Sequence, residues 1–511
     1  MNEIAIGVEA LTEQQVLAVA RHDARVRLSD EARKAIGASR DIIEALADDP
    51  EPHYGISTGF GALATKQIAP ADRAALQRSL IRSHAAGSGP EVEREVVRAL
   101  MLLRLSTLAT GRTGVRLETA ETYAAMLNAG ITPVVYEFGS LGCSGDLAPL
   151  AHCALAAMGE GTVRVRGDAL PAADALAAAG ITPVVLREKE GLALTNGVDG
   201  MLGMLTLATC DLALLFRTAD LAAAMSVEAQ LGTDAVFAAD LQALRPHPGQ
   251  ADSAANLRAL LAGSAIMASH RTRDCTRVQD AYSLRCSPQV HGAGRDTLAH
   301  ARLVRDRELA SAVDNPVVTL DGRVESNGNF HGAPVGYVLD FLAIAAADLA
   351  SVAERRTDRF LDRARNHGLP PFLAGDPGVD SGYMIAQYTQ AALVSELKRL
   401  AVPASVDSIP SSAMQEDHVS MGWSAARKLR RAVDALTQVL AIEILTAARA
   451  LDLRSPLTPA PATAAARDAL RQQVAGPGPD RYLAPDIAAA VELVRSGRLV
   501  AAAEAVCGPL N

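Results

Sequence analysis

The chain has 511 residues, 49% of them hydrophobic and only 3% aromatic, with 49 basic against 58 acidic side chains and a formal net charge of −9. That is enough apolar material for two or three domains or one large helical body, and the abundance of Ala and Leu favours helix over sheet. The negative balance offers no attraction for nucleic acid or an anionic membrane surface, so neither is expected as a partner. The six cysteines (143, 153, 210, 275, 286 and 507) form no C-x-x-C pair and no even ladder, which reads as reduced thiols in a cytoplasmic protein. The start, M-N-E-I-A-I-G-V-E-A-L-T, has no basic segment followed by a long apolar one, so no signal peptide is expected.

Taken in order, Thr12 with Gln15 makes a capping box that opens a helix through about Arg21. Ser29 caps a second helix whose Ala32, Ala35, Ile36, Ile43 and Leu46 share one face, and Asp49-Pro50 stops it. The Gly-rich H-Y-G-I-S-T-G-F-G (His53 to Gly61) is a loop, and no G-K-[ST] follows to make it a phosphate cradle. R-S-H-A-A-G-S-G contains Ser83-His84; helices of about 91–108 and 117–127 then end near Gly111 and Gly130. The heptapeptide A-G-I-T-P-V-V occurs at 129–135 and again at 179–185, each copy reading as a helix end followed by an extended run. Between them T-V-R-V-R-G (162–167) alternates cleanly and is the best strand candidate; sheet content is otherwise minor. From Asp199 onward the pattern is long amphipathic helices, about 199–230, 291–313, 334–363 and 411–451, the last two roughly 45–60 Å long at 1.5 Å per residue. The apolar run Met201 to Val227 is broken by Asp211, Arg217 and Asp220, as a buried bundle helix and not a membrane span would be. Helices of such length usually bury against partner helices, often across subunits, so an oligomer is expected. The tail from about Ser455 reads as a linker and two closing helices.

The stretch around which the rest is organised is G-S-L-G-C-S-G-D-L-A-P-L-A-H, Gly139 to His152. Its plain reading is a tight turn feeding a helix, with Asp146 as N-cap and Pro149 in the first turn. Its chemical reading is a cofactor made from the chain itself. In a strained turn the amide nitrogen of Gly145 attacks the carbonyl carbon of Cys143, and only a residue without Cβ lets the backbone fold back so closely. Loss of one water closes a five-membered imidazolone, and loss of the Ser144 hydroxyl as a second leaves an exocyclic methylene.

At this point the chain resembles the aromatic amino acid ammonia-lyases and aminomutases, which carry 4-methylideneimidazol-5-one (MIO) in G-S-x-G-A-S-G-D-L-A-P-L. Cys143 stands where most of them have Ala, a mild departure because closure uses only the backbone carbonyl of residue 143. The resemblance runs from Tyr54 to Met421 and implies a mainly α long-helix bundle of the fumarase/aspartase-like type, with a smaller N-terminal part holding loops and minor β. It divides the chain into 1–197 with the base loop and MIO-forming loop, 198–453 with the central bundle, and 454–511 with closing helices. Y-G-I-S-T-G-F-G matches the second signature, making Tyr54 the base that removes the substrate's β-proton. A phenol ordinarily holds its proton to about pH 10, so that role implies alkaline operation. Ser83-His84 matches the position that tracks substrate choice and resembles the histidine-specific members. E-K-E-G-L-A-L-T-N-G assigns Asn196 to substrate and MIO oxygen, with Val198 where Thr is usual. V-Q-D-A-Y-S-L-R-C assigns Gln279, Tyr282 and Arg285, and an arginine fork independently suits the substrate's α-carboxylate. D-N-P supplies Asn315, a polar group at a helix end; G-N-F-H-G supplies Phe330 for packing on the substrate ring. S-A-M-Q-E-D-H-V-S-M opens the long helix and assigns Gln415 and Glu416, with Met414 where Asn is common. A carboxylate at 416 is characteristic of the histidine enzymes; the competing reading is a capping Glu in a helix's first turn.

The sequence therefore implies elimination of ammonia from L-histidine to give trans-urocanate, the first step of histidine degradation. The site residues are Tyr54, Cys143, Ser144, Gly145, Tyr282 and Glu416, with His84, Asn196, Gln279, Arg285, Asn315, Phe330 and Gln415 holding the substrate. A homotetramer with active sites shared between subunits comes with the resemblance. No metal is expected, since the eleven histidines show no H-E-x-x-H or paired spacing. A tyrosine- or phenylalanine-using lyase or aminomutase is the alternative, differing around Ser83-His84 and Glu416. A serine hydrolase fails because its elbow needs G-x-S-x-G and residue 146 is Asp. A catalytically dead helical scaffold is disfavoured by the presence of Tyr54, Ser144 and Arg285.

Overall fold

The computed structural model describes residues 3–59, 65–271 and 278–511. Phe60, Gly61 and Cys275 lie outside the described residues. The chain forms two compact units, each drawn from three segments: Met1–Leu207, Arg302–Leu339 and Ala404–Arg427 in the first, Ala208–Ala301, Asp340–Pro403 and Lys428–Asn511 in the second.

The first unit opens as its caps dictate. Gln15 N–H donates to Thr12 Oγ1 (3.3 Å) and Thr12 N–H to Gln15 Oε1 (2.8 Å), starting the helix Glu13–His22. Ser29 Oγ accepts from Ala32 N (3.1 Å) and starts Asp30–Ala47, whose Ala32, Ile36 and Ile43 are buried. The next two helices are Arg94–Ala109 and Leu117–Asn128. The first begins later than its periodicity suggests because Ser88–Glu91 is a strand, antiparallel to Tyr136–Phe138. The alternating stretch becomes Thr162–Val165, the centre of a three-stranded antiparallel sheet between Thr132–Pro133 and Asp168–Pro171. Both heptapeptide copies end helices on a left-handed glycine, Gly130 (φ 67°) and Gly180 (φ 69°), followed by the same backward bond, Ile131 N to Met126 O and Ile181 N to Leu176 O. Only the first copy goes on to pair as a strand. The second meets a helix end instead, its Val184 N–H bonding Ala157 O (2.9 Å).

The long helices run Asp199–Ala229, Ser287–Leu309, Ala333–Leu361 and Gly422–Leu453. The last starts eleven residues beyond Ser411, so the stretch expected to open it is a separate loop. Asp199–Ala229 and Ala333–Leu361 are long and apolar enough to cross a membrane by length and composition alone; their apolar windows are 78% and 61% buried within the protein, which accounts for the apolarity by packing.

The second unit carries a buried polar centre around Asp220. Its carboxylate accepts from Ser253 Oγ (2.6 Å), Asn256 Nδ2 (2.8 Å) and Arg295 (2.5 Å), and its Oδ1 lies 2.7 Å from His291 Nδ1. Burial alone would push Asp220 up; Arg295 and His291 more than offset it and hold the group at about 2, below its ordinary 3.8. A depressed carboxylate contributes stability above its unfolded value and loses it as pH falls through the folded one, here about 2 kcal/mol between pH 4 and 2. Urea midpoints at pH 5, 3 and 2 are expected to show that fall in the wild type and a flatter one in Asp220→Asn. Equal slopes would assign the acid limb elsewhere.

Candidate active site

The turn at 142–146 is shaped by residues that only glycine or strain permits. Gly142 (φ 87°) and Gly145 (φ 86°) flank Ser144, itself left-handed at φ 49°, and an antiparallel bridge joins the two glycines. A second segment presses on the turn: Gly197 N–H donates to Ser144 O (3.0 Å), and Asp146 N–H to Gly197 O (2.7 Å). A Cβ built on Gly145 would stand 1.9 Å from the Gly197 carbonyl oxygen, so no other residue fits.

Asp146 does not cap its own helix, Leu147–Ala157, with its side chain. Its Oδ2 accepts from Met201 N–H (2.9 Å), an otherwise orphan donor in the first turn of Asp199–Ala229, and its Oδ1 from Ser140 Oγ (3.0 Å). Full burial pushes this carboxyl to about 7, even though both hydrogen bonds pull it down.

The remaining motifs of the first unit meet this turn in a connected chain of contacts. Lys189 and Asp314 form a fully buried ion pair, and Asp314 Oδ1 accepts from Asn315 N (2.7 Å). Asn196 Nδ2 donates to Asn315 O (2.8 Å). Asn315 is not at a helix end: the preceding helix stops at Leu309, and Asn315 enters the strand Val317–Val318. Its Oδ1 is occupied by Ser326 Oγ and Asn327 N, both at 3.0 Å. Tyr54 is half-buried in a turn in which His53 O accepts from Ile56 N and Ser57 N. Neighbouring Gly55 is packed so closely that a Cβ there would lie 2.5 Å from Leu192 and 3.4 Å from Pro316.

On the other side, Cys143 Sγ lies 2.9 Å from Ser411 Oγ, which donates to Glu416 Oε2 (2.8 Å). Glu416 sits in a loop, not in the first turn of a helix, which removes the capping reading; Met414 and Gln415 beside it are exposed. His84 ends the helix Arg73–His84, with its Nδ1 3.0 Å from Ser83 Oγ. Burial holds the His84 imidazole below its ordinary value, while the Leu80 carbonyl and the nearby Glu416 carboxylate draw it the other way. His331 and His418 stack in parallel at 5.7 Å, setting the turn that carries half-buried Phe330 against the 415–418 segment. Ser420 Oγ stands where a Cβ on Gly142 or Gly332 would intrude, at 2.7 and 3.1 Å.

Gln279, Tyr282 and Arg285 belong to the second unit. Gln279 and Tyr282 are exposed, Tyr282 to 72%. The Arg285 guanidinium lies 4.8 Å from the centre of the Tyr282 ring, and its buried Nε has no hydrogen-bond partner among the described residues. Sequence reasoning missed Ser411 and the Lys189–Asp314 pair. The pair had a usable signal, opposite charges inside two motif segments otherwise destined for burial; Ser411 had none.

The features of the first unit gather around a strained backbone turn. The chain belongs to the aromatic amino acid lyase family, whose model matches residues 11–472. Among curated relatives, the histidine ammonia-lyase of Streptomyces avermitilis is 68% identical over 100% of both chains, and that of Sorangium cellulosum 52% identical over 96% of this chain and 97% of its own. Among solved structures, the tyrosine aminomutase of Streptomyces globisporus superposes with a TM-score of 0.93 at 40% identity, covering 99% of both chains. The histidine ammonia-lyase of Trypanosoma cruzi gives 0.91 at 37% identity, over 99% of this chain and 96% of that one.

Proposed function

We propose that this chain eliminates ammonia from L-histidine to give trans-urocanate. What supports the choice of substrate is Glu416, linked through Ser411 to Cys143 of the 142–146 turn, with His84 close enough to feel its charge. An imidazole has two ring nitrogens that need partners once buried, and a carboxylate with a histidine supplies them. Around a phenyl ring the same groups would be left unpaired, at roughly 1–3 kcal/mol each.

The residues present fit an MIO group at Cys143-Ser144-Gly145. Gly145 lies where any Cβ would collide with Gly197, and left-handed Ser144 is already turned back between two glycines. When present, the group supplies an electrophilic carbon that no ordinary side chain offers. Tyr54 takes the β-proton, the Cα–N bond breaks, a Cα=Cβ double bond forms, and the nitrogen leaves as ammonia. Arg285 grips the α-carboxylate as a fork and Asn315 adds a polar contact, so that base and scissile bond stay aligned. Asn196 and Gln415 add polar contacts, and Phe330 packs on the ring. Gln279, Tyr282 and Arg285, carried together on the second unit, are assigned to active sites shared between the subunits of a homotetramer. The apolar stripe of Tyr337, Phe341 and Ile344, exposed at helical spacing on Ala333–Leu361, supports such an assembly. Residues 1–197 supply the base and ring-forming loops, 198–453 the long helices, and 454–511 the closing helices. The free thiols of Cys143, Cys153, Cys210, Cys286 and Cys507 suit a cytoplasmic setting.

The test is to offer L-histidine, L-tyrosine and L-phenylalanine separately and follow the ultraviolet band of each arylacrylate. Histidine is expected to be used and phenylalanine strongly rejected. Glu416→Gln keeps the shape and removes the charge; kcat/KM for histidine should fall at least about tenfold, the worth of a charged hydrogen bond. Unchanged kinetics would sink the imidazole assignment and favour a tyrosine-using enzyme.

A further inference from the structure

The loop that carries Glu416 is held in an unfavourable shape. Ser412, Ala413 and Met414 follow one another at φ of 50°, 52° and 69°, a left-handed run without a glycine. Side chains with a Cβ stay in that region only where surrounding bonds over-determine them, and such runs gather at functional sites. Here the bonds are visible. Ser411 and Glu416 flank the run and are joined three times: Ser411 N–H to Glu416 O (3.0 Å), Glu416 N–H to Ser411 O (3.3 Å), and Ser411 Oγ–H to Glu416 Oε2 (2.8 Å).

The serine hydroxyl has a single proton, and that proton is committed to the carboxylate. The contact with Cys143 Sγ at 2.9 Å must then run the other way, the thiol donating to Ser411 Oγ. Burial pushes the Cys143 thiol up, which keeps it a donor. The row Cys143–Ser411–Glu416 thus has one polarity. It starts on the ring-forming turn and ends on the carboxylate that faces His84.

We propose that Ser411 is a positioning residue for Glu416: its hydroxyl clasps the strained loop shut and, through Cys143, fixes the distance from the ring-forming turn to the carboxylate that takes the substrate's imidazole. The last clause rests on the substrate reading given above. The proposal also gives Cys143 a purpose in place of the more usual Ala, as the second anchor of the Ser411 hydroxyl.

Paired variants test it. Residue 411 is extended (φ −141°, ψ −177°), a backbone that β-branched residues suit, so Ser411→Thr and Ser411→Val keep that backbone and set a hydroxyl against a methyl group of the same shape. Three readouts are taken on the full-length enzyme: intact mass, amide exchange across 410–417, and kcat and KM for L-histidine. The Thr variant should show the same two-water deficit against its own sequence mass and stay within about twofold of wild type in exchange and kinetics. The Val variant should show the same two-water deficit against its own sequence mass as the wild type, exchange faster at residues 411 and 416, and lose about tenfold or more in kcat/KM. Val kinetics matching Thr, whether or not exchange quickens, would overturn the positioning role. If the wild type turned over no L-histidine, the substrate reading would fall, while the exchange comparison still decided the clasp: faster in Val than in Thr upholds it, equal rates overturn it.

Discussion

Ser144→Ala is expected to fold as the wild type does and to lose activity on the order of a thousandfold or more, because the nucleophile-accepting group would be missing altogether. What the fold asks of residue 144 is backbone: a left-handed φ of 49° and a carbonyl that accepts from Gly197. Alanine meets both about as well as serine, so thermal stability should barely move. What the chemistry asks of it is a hydroxyl that leaves as water when the exocyclic methylene forms, and alanine has none. Intact mass separates this from a damaged fold. The wild type should be lighter than its sequence by two water molecules, and the variant should lack that full deficit. An active wild type at the unshifted sequence mass would end the MIO reading.

The second large effect is expected at Tyr54. Tyr54→Phe removes one oxygen from a half-buried residue in a loop turn whose shape is set by His53, Gly55 and Ser57, so the loop should keep its form. General bases contribute about a hundredfold to ten-thousandfold, and turnover should fall by at least the lower figure. The loss should appear in kcat and kcat/KM alike, since proton abstraction is felt only in the transition state. A variant within about threefold of wild type would assign the β-proton to another group.

Where a local signal had no competitor, the sequence was a good guide. Thr12 with Gln15 and Ser29 started helices where expected, and Asp199–Ala229 came within one residue of its apolar periodicity. Misreadings arose where a distant partner outbid the local one. Asp146 has the look of an N-cap for the helix that follows it, but its carboxylate serves the amide of Met201 instead. S-A-M-Q-E reads as a helix start with an acidic first turn, and the left-handed run there carries no glycine to announce it; the Ser411–Glu416 clasp is what holds it. The two identical heptapeptides diverge after their glycines because one finds a strand beside it and the other a helix end. For the site, motif matching supplied residue types, and folding supplied their joints: Gly145 on Gly197, Asn196 on Asn315, Cys143 on Ser411.

The joint between Gly145 and Gly197 also sets a clock. The turn at 142–146 is pressed into its shape by a segment that leaves the ribosome later, so a nascent chain that has emerged only as far as Asp146 lacks the surface on which ring closure depends. On the MIO reading, maturation of the electrophile would be tied to completed docking of the 188–197 segment. On that reading, an incompletely folded chain would carry no electrophile to meet the thiols and amines of other molecules.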